Sequence, residues 1–225
     1  MLIITFSHPK GGVGKSTLCL NYLVYLQKQS KDFIVLDLDG QSSISNINKI
    51  RATNNLKTFN ITSFKDTNSF VNFIQTHSDS NIIIDSGGFD SAYNRIAVSM
   101  SDIVLTPLSD SPLEIMRLVS FDEILNDIEK TLRQTNPNFT LKVYLVLNRI
   151  NPAITKINEI LEPFKDSKHY YFMNSIIRDR TLIKFSPANA ESVLEAKIRT
   201  HSDIMAKNEI LSFCNEIETL KGALK

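Results

Sequence analysis

A doubly wound α/β fold, with a mostly parallel sheet and helices on both faces, is what these 225 residues predict. Three observations carry that expectation. Several short runs of Ile, Val and Leu are apolar without alternation, as strands covered on both faces are. Amphipathic helical stretches fill the gaps between those runs. A glycine-rich loop separates the first run from the first helical stretch, and most later runs stop on Asp or Asn, where an open α/β sheet places its ligand crevice.

The elements follow in order. Leu2 to Ser7 reads as the first strand: it is too short for a signal peptide and lacks a basic flank and a small-residue cleavage site. After Pro9-Lys10-Gly11-Gly12-Val13-Gly14, a helical pattern runs from Lys15 to about Gln29, with Leu18, Tyr22, Tyr25 and Leu26 on one face. Phe33 to Leu36 is a second strand ending at Asp37, and the Asn-, Ser- and Thr-rich stretch from Asn46 to Asn60 reads as a variable loop or irregular helical region. A helix over Asn68 to His77 leads to the strand Ile82-Ile83-Ile84, which ends at Asp85. Ser91 to Met100 is helical, and Ile103 to Leu105 is a strand ending near Pro107. A long helix over Leu113 to Arg133 precedes the strand Val143 to Leu147, which ends at Asn148, and Ala153 to Lys165 reads as a further helix. Near the end, Ile210, Leu211, Phe213, Cys214, Ile217 and Leu220 form a helical apolar stripe. With no internal repeat, low-complexity tract or linker, residues 1–225 are expected to form a single domain.

Composition narrows the function. Lys plus Arg total 25 against 24 Asp plus Glu, a formal net charge of +1, so contact with nucleic acid or an acidic surface must be local. A share of 42% hydrophobic and 22% charged residues is that of a folded protein with a sizeable core. Cys19 and Cys214 stand far apart without metal-ligand spacing, which excludes a disulfide framework or an iron-sulfur site and suits a reducing cytoplasm. No apolar run approaches the roughly 20 residues that span a bilayer.

Gly14-Lys15-Ser16-Thr17, after a strand and opening a helix, is in the setting that makes a short pattern a phosphate site. Gly11, Gly12, Val13 and Gly14 let backbone amides curl around a polyphosphate, the helix N-terminus adds partial positive charge, Lys15 reaches the terminal phosphates and the Ser16 hydroxyl suits magnesium. Thr17 completes the binding segment. The common pattern GxxxxGK[ST] requires glycine where this chain has Pro9, so the loop is a variant of it.

That variant, Lys-Gly-Gly-x-Gly-Lys-[Ser/Thr] over Lys10 to Ser16, resembles the deviant Walker A loop of the ParA/MinD group of P-loop ATPases. The resemblance implies ATP and Mg2+ as cofactors, and a Lys10 that crosses a sandwich homodimer to phosphate on the other subunit. Val35-Leu36-Asp37-Leu38-Asp39-Gly40-Gln41 resembles the group's hydrophobic-Asp-x-Asp-Pro-Gln segment, with Gly40 where proline is common. By that resemblance Asp39 positions the attacking water and Asp37 lies near the magnesium shell; Asp37 also suits a helix-capping role. Ile82 to Gly88 resembles a Walker B strand whose Asp85 holds magnesium, followed by glycines free to move with the γ-phosphate. Asn148 stands where relatives read the adenine edge, its amide offering both an acceptor and a donor.

Within the group the sequence is most similar to small ParF-like partition ATPases. Ser101 to Leu113 resembles their strand and loop near the dimer face, and Asn174 to Arg180 with Ser192 to Glu195 resembles them in spacing. Such a protein segregates plasmid or chromosomal DNA. The ATP-bound dimer binds DNA without sequence preference, and hydrolysis stimulated by a small centromere-binding partner, ParB- or ParG-like, resets it. The resemblance places the DNA contacts on basic residues of the C-terminal half, for which Arg178, Arg180, Lys184, Lys197 and Arg199 are the candidates. The chain begins at the first strand, so sequence-specific recognition is expected of a separate protein, and the location is the cytoplasm, on the nucleoid. The alternatives are a MinD-like positioning ATPase, which needs a basic amphipathic C-terminal helix, and an ATP-dependent metabolite ligase. Glu209, Glu216 and Glu218 around the last apolar stripe favour a docked core helix over a membrane anchor.

Overall fold

The computed structural model describes residues 2–88 and 91–224. Seven strands form one sheet: β1 (Leu2–Phe6), β2 (Ile34–Leu38), β3 (Ile61–Thr62), β4 (Asn81–Ser86), β5 (Ile103–Leu108), β6 (Val143–Ile150) and β7 (Tyr170–Arg178). Their order across the sheet is β3-β2-β4-β1-β5-β6-β7, and every pairing is parallel. The main helices are α1 (Lys15–Lys28), α2 (Ser43–Thr53), α3 (Thr67–Thr76), α4 (Ala92–Met100), α5 (Pro112–Leu132), α6 (Ile157–Leu161), α7 (Thr181–Phe185) and α8 (His201–Ala223).

The unbroken apolar runs are explained by the two-sided cover. In β1, Ile4 and Phe6 join the core under α1 and α8, while Ile3 belongs to the opposite core with Phe70 and Ile74 of α3 and Ala97 of α4. The run Ile82-Ile83-Ile84 divides in the same way, Ile83 to the first core and its two neighbours to the second. A third cluster packs Leu118, Phe121 and Leu125 of α5 on Val143, Leu145 and Leu147 of β6.

Helix ends follow local chemistry. Asp66 caps α3 by accepting the Ser69 amide at 2.8 Å, and Thr200 and Asp203 form a reciprocal capping box that starts α8. Ile210, Phe213, Cys214 and Ile217 of α8 are buried, as a docked core helix requires. Two expectations need correction. The expected helix over Ala153 to Lys165 shrinks to α6 and a 3-10 turn over Glu162–Phe164, where Pro163 has no amide to continue the α-helical ladder. The stretch from Asn46 to Asn60 is regular helix, α2, as far as Thr53 and non-helical beyond it; the helix has a polar surface that hides its pattern, because Ile44 and Arg51 are its only buried residues.

This architecture gathers the strand ends. β1 lies between β4 and β5, at the point where successive connections leave in opposite directions. Asp37 is in register with Asp85, and Asp85 with Phe6 at the end of β1. Both carboxylates therefore flank the start of the glycine loop.

Candidate nucleotide site

Four of the five carbonyls from Lys10 to Gly14 are held by donors. Lys15 Nζ donates to the Lys10 carbonyl at 3.0 Å, Arg149 Nη1 to that of Gly12 at 2.9 Å, and Asn148 Nδ2 to that of Val13 at 2.9 Å. The Gly14 carbonyl takes the Leu18 amide at 2.9 Å. By contrast, the amides from Gly11 to Thr17 find no acceptor among the described residues, and no side chain caps α1. Gly11 and Gly12 are exposed, but from Val13 to Thr17 the residues are buried or half-buried, where amides without acceptors are costly unless a ligand takes them, and such a row at a helix N-terminus is an anion cradle. Gly12 and Gly14 adopt φ of 78° and 102°, which only glycine enters readily.

Gly88 braces the loop from the other side. A Cβ there would stand 2.7 Å from the Gly11 Cα and 2.8 Å from the Lys10 carbonyl carbon, so the β4 end and the loop touch backbone to backbone. The cleft beside the loop has a volume of about 360 Å3, within the range of small-molecule sites. Ser16, Thr17, Asp39 and Asn148 line it, together with Arg178, Arg180 and Lys184.

Lys15 and Asp85 are buried beside each other's charge. Burial lowers the Lys15 pKa, and the carboxylates of Asp85, Asp39 and Glu114 oppose that shift. Burial lifts the Asp85 pKa to about 7, with Asp37 and Asp39 adding to the rise and Ser16 and Lys15 restraining it. Ser16 is thus close enough to favour the charged carboxylate, yet neither Asp85 oxygen accepts a well-formed hydrogen bond. No group of three or more acidic, His or Cys side chains forms a metal cage among the described residues. A hydroxyl and an orphaned buried carboxylate nevertheless fit Mg2+, which keeps most of its shell for water and phosphate. Ser16 and Asp85 are the residues that would hold it.

The other two acids are tied differently. Asp37 accepts the Ser45 amide at 2.9 Å, the Ser45 hydroxyl at 2.6 Å and the Asp39 amide at 3.2 Å, so it anchors the start of α2. Asp39 accepts the Gln41 amide at 3.1 Å and the Ser43 hydroxyl at 3.2 Å, and it lines both the nucleotide cleft and a second cleft with Phe64, Gly87 and Tyr93. Its carboxylate is half-buried, within reach of solvent.

The five basic candidates separate into two groups. Arg178 donates to the carbonyls of Ile154 at 2.8 Å and Asn151 at 3.2 Å, and Arg180 pairs with Glu209 at 2.6 Å, so both are engaged along the cleft. Lys184 is exposed at the cleft rim, and Lys197 and Arg199 are exposed on the segment leading into α8. These three are exposed, whereas the two arginines are only half-exposed. Sequence reasoning missed Arg149 and His8, both of which hold the loop. Arg149 lies next to a singled-out Asn, and its backbone φ of 59° marks an unusual position for a non-glycine residue. His8 sits two residues before Lys10, where a histidine has no pattern of its own.

Comparison with known proteins agrees with this geometry. The family model for the CobQ/CobB/MinD/ParA nucleotide binding domain matches residues 4–193. A comparison with curated protein sequences finds no match. Among solved structures, a putative plasmid partition protein of Borrelia burgdorferi bound to AMPPNP is 18% identical with a TM-score of 0.61, covering 96% of this chain and 99% of that one. The MinD cell division protein of Aquifex aeolicus is 19% identical with a TM-score of 0.65, covering 97% and 98%. The pNOB8 ParA bound to nonspecific DNA is 16% identical with a TM-score of 0.60, covering 100% and 99%. At these identities the likeness is one of fold.

Proposed function

The chain belongs to the CobQ/CobB/MinD/ParA nucleotide-binding family, and on that premise we propose that it is a Mg2+-dependent ATPase of DNA partition. ATP drives two copies into a sandwich dimer that binds DNA without sequence preference. Hydrolysis, stimulated by a small centromere-bound partner, returns the monomer. The observation that carries the nucleotide reading is the loop itself: the carbonyls of Lys10, Gly12, Val13 and Gly14 satisfied, and the amides from Gly11 to Thr17 left for an anion.

The residues have separate tasks in this reading. The freed amides and Lys15, once it leaves the Lys10 carbonyl, bind the phosphates. Ser16 and Asp85 would hold Mg2+, which when bound would offset charge on the phosphate oxygens. Asp39 orients the attacking water from the wall of the cleft, while Asp37 keeps α2, and with it the Ser43 and Ser45 contacts, in place. Lys10 has no partner for its ammonium among the described residues, which suits a side chain directed at a second subunit. The Asn148 amide, held by Val13, faces the cleft where a base would read its remaining atoms.

DNA binding is supported by the resemblance to partition ATPases and by the exposed Lys184, Lys197 and Arg199. A MinD-like membrane role fits less well, because the apolar stripe of α8 is buried against the sheet. Light scattering with and without ATP and Mg2+, together with phosphate release, tests the reading. The expected result is an ATP-dependent dimer with slow turnover, in which Asp39→Ala keeps the dimer and loses phosphate release. A chain that stays monomeric with ATP, or an Asp39→Ala variant with normal turnover, would contradict it.

A further inference from the structure

We propose that His8 is a positioning residue for Lys10: its neutral imidazole fixes the Lys10 backbone so that the Lys10 side chain is free to reach a second copy of this chain. The inference rests on the dimer reading above. His8 is fully buried, and its Nδ1 accepts the Lys10 amide at 2.9 Å. The next polar group along, the Lys10 carbonyl, accepts Lys15 Nζ at 3.0 Å. Lys10 is therefore pinned at both ends of its backbone, while its own ammonium has no hydrogen bond or ion pair among the described residues.

The ring's chemistry fits only one role. An imidazole that accepts at Nδ1 must be neutral and carry its proton on Nε2. Burial and the positive charges of Lys15 and Lys10 keep it unprotonated, with a pKa of about 3. Nε2 has no partner among the described residues, so the ring leaves one buried polar group unsatisfied. A purely structural side chain at this position would gain by being apolar. What the histidine adds is the single bond to Lys10.

The packing around the ring favours the same reading. Val98 and Asn94 of α4 and Phe121, Ile124 and Ile128 of α5 line a small cleft with His8, together with Arg95, so the imidazole is packed against both helices. Those helices pass their rigidity to the Lys10 amide through one hydrogen bond. Without that acceptor, Lys10 loses the restraint on its N–H side, and the entropy of ordering its long side chain falls on the association step.

Four forms of the full chain test this by light scattering and ATP titration in Mg2+: native, His8→Leu, His8→Asn and Lys10→Ala. Asn places an acceptor oxygen close to where Nδ1 stands, and Leu offers none. With ATP raised until each form is saturated, the expected result is a dimer weakened about tenfold or more in His8→Leu, restored in His8→Asn and lost in Lys10→Ala. A native-like dimer in His8→Leu, or a folded His8→Asn that dimerises no better than Lys10→Ala, would overturn the role of His8. Should His8→Leu not fold, His8→Asn still decides, and 15N imidazole shifts of the native protein must show the Nε2–H tautomer; an Nδ1–H tautomer would overturn the proposal. A native-like dimer in Lys10→Ala refutes the cross-subunit lysine instead, and with it the premise rather than the His8–Lys10 bond.

Discussion

Asn148, at the end of β6, donates its side-chain nitrogen to the Val13 carbonyl at 2.9 Å across 135 positions of sequence. The two residues join the right half of the sheet to the phosphate loop. The amide packs so closely that a Cβ on Gly14 would overlap it, which, with a φ of 102°, makes glycine obligatory there. Replacing Asn148 by Ala leaves a buried carbonyl without a donor, at a cost of about 1–3 kcal/mol in loop order. Equilibrium titration should show ATP affinity falling about tenfold and the preference for ATP over GTP disappearing. An equal loss for both nucleotides, with the preference intact, reduces Asn148 to a brace.

Asp85 sets a pH dependence with a definite sign. Its pKa rises from 3.8 to about 7 in the folded chain, so between those values the folded state binds more protons than the unfolded one. This group's contribution to stability of the ligand-free protein is therefore full at low pH and is lost as pH rises toward 7. Asp85→Asn should raise the melting temperature in metal-free buffer at pH 8, by an amount on the order of 1–3 kcal/mol in stability, while abolishing the Mg2+ dependence of ATP binding. In the native protein, that Mg2+-dependent affinity should weaken below about pH 7, because the ion competes with a proton.

The C-terminal part of α2 is locked by Arg51, whose guanidinium is fully buried. It donates to both oxygens of Glu195 at 2.8 Å and to the carbonyls of Lys57 and Ala190. Burial alone would raise the Glu195 pKa, but Arg51 and the Ser192 amide hold it below the usual carboxylate value. Removing one member of such a pair leaves the other charge uncompensated, so Arg51→Ala should cost roughly 3–5 kcal/mol in urea unfolding. A loss under 1 kcal/mol would show that the pair contributes little.

Basic residues at the cleft and beyond it should respond differently. Replacing Lys184, Lys197 and Arg199 together by Ala removes exposed charge, and is expected to weaken binding to random duplex about tenfold and to flatten its salt dependence by a slope of roughly 2–3. Arg180→Ala instead strands Glu209, so its main effect should be on melting temperature. Equal DNA affinity in the triple variant would move the contact surface elsewhere.

Much of the fold was legible because a two-sided sheet writes itself as unbroken apolar runs, as in Ile82-Ile83-Ile84. β3 was not, since Ile61–Thr62 is too short to show a period. β7 was not either: Tyr171, Phe172 and Asn174 are exposed on an edge strand, so its run mixes polar and apolar positions. At the site, the glycines, Lys15, Ser16 and the strand-end acids carry their chemistry in their spacing. His8 and Arg149 act through single hydrogen bonds to backbone atoms, and such contacts leave no periodic trace. The pairing of Arg180 with Glu209 was hidden for a related reason: the partners are 29 positions apart and meet only when α8 docks on the end of β7.

Binding of a fluorescent random-sequence duplex by the full chain, measured by anisotropy with ATP and Mg2+, with ADP and Mg2+, and with no nucleotide, tests the central claim most directly. The expected affinity with ATP is about tenfold or more above that of the other two states, and it falls steeply as salt rises from about 50 to about 200 mM. Equal affinity in all three states, or binding unaffected by salt, would contradict an ATP-gated partition ATPase.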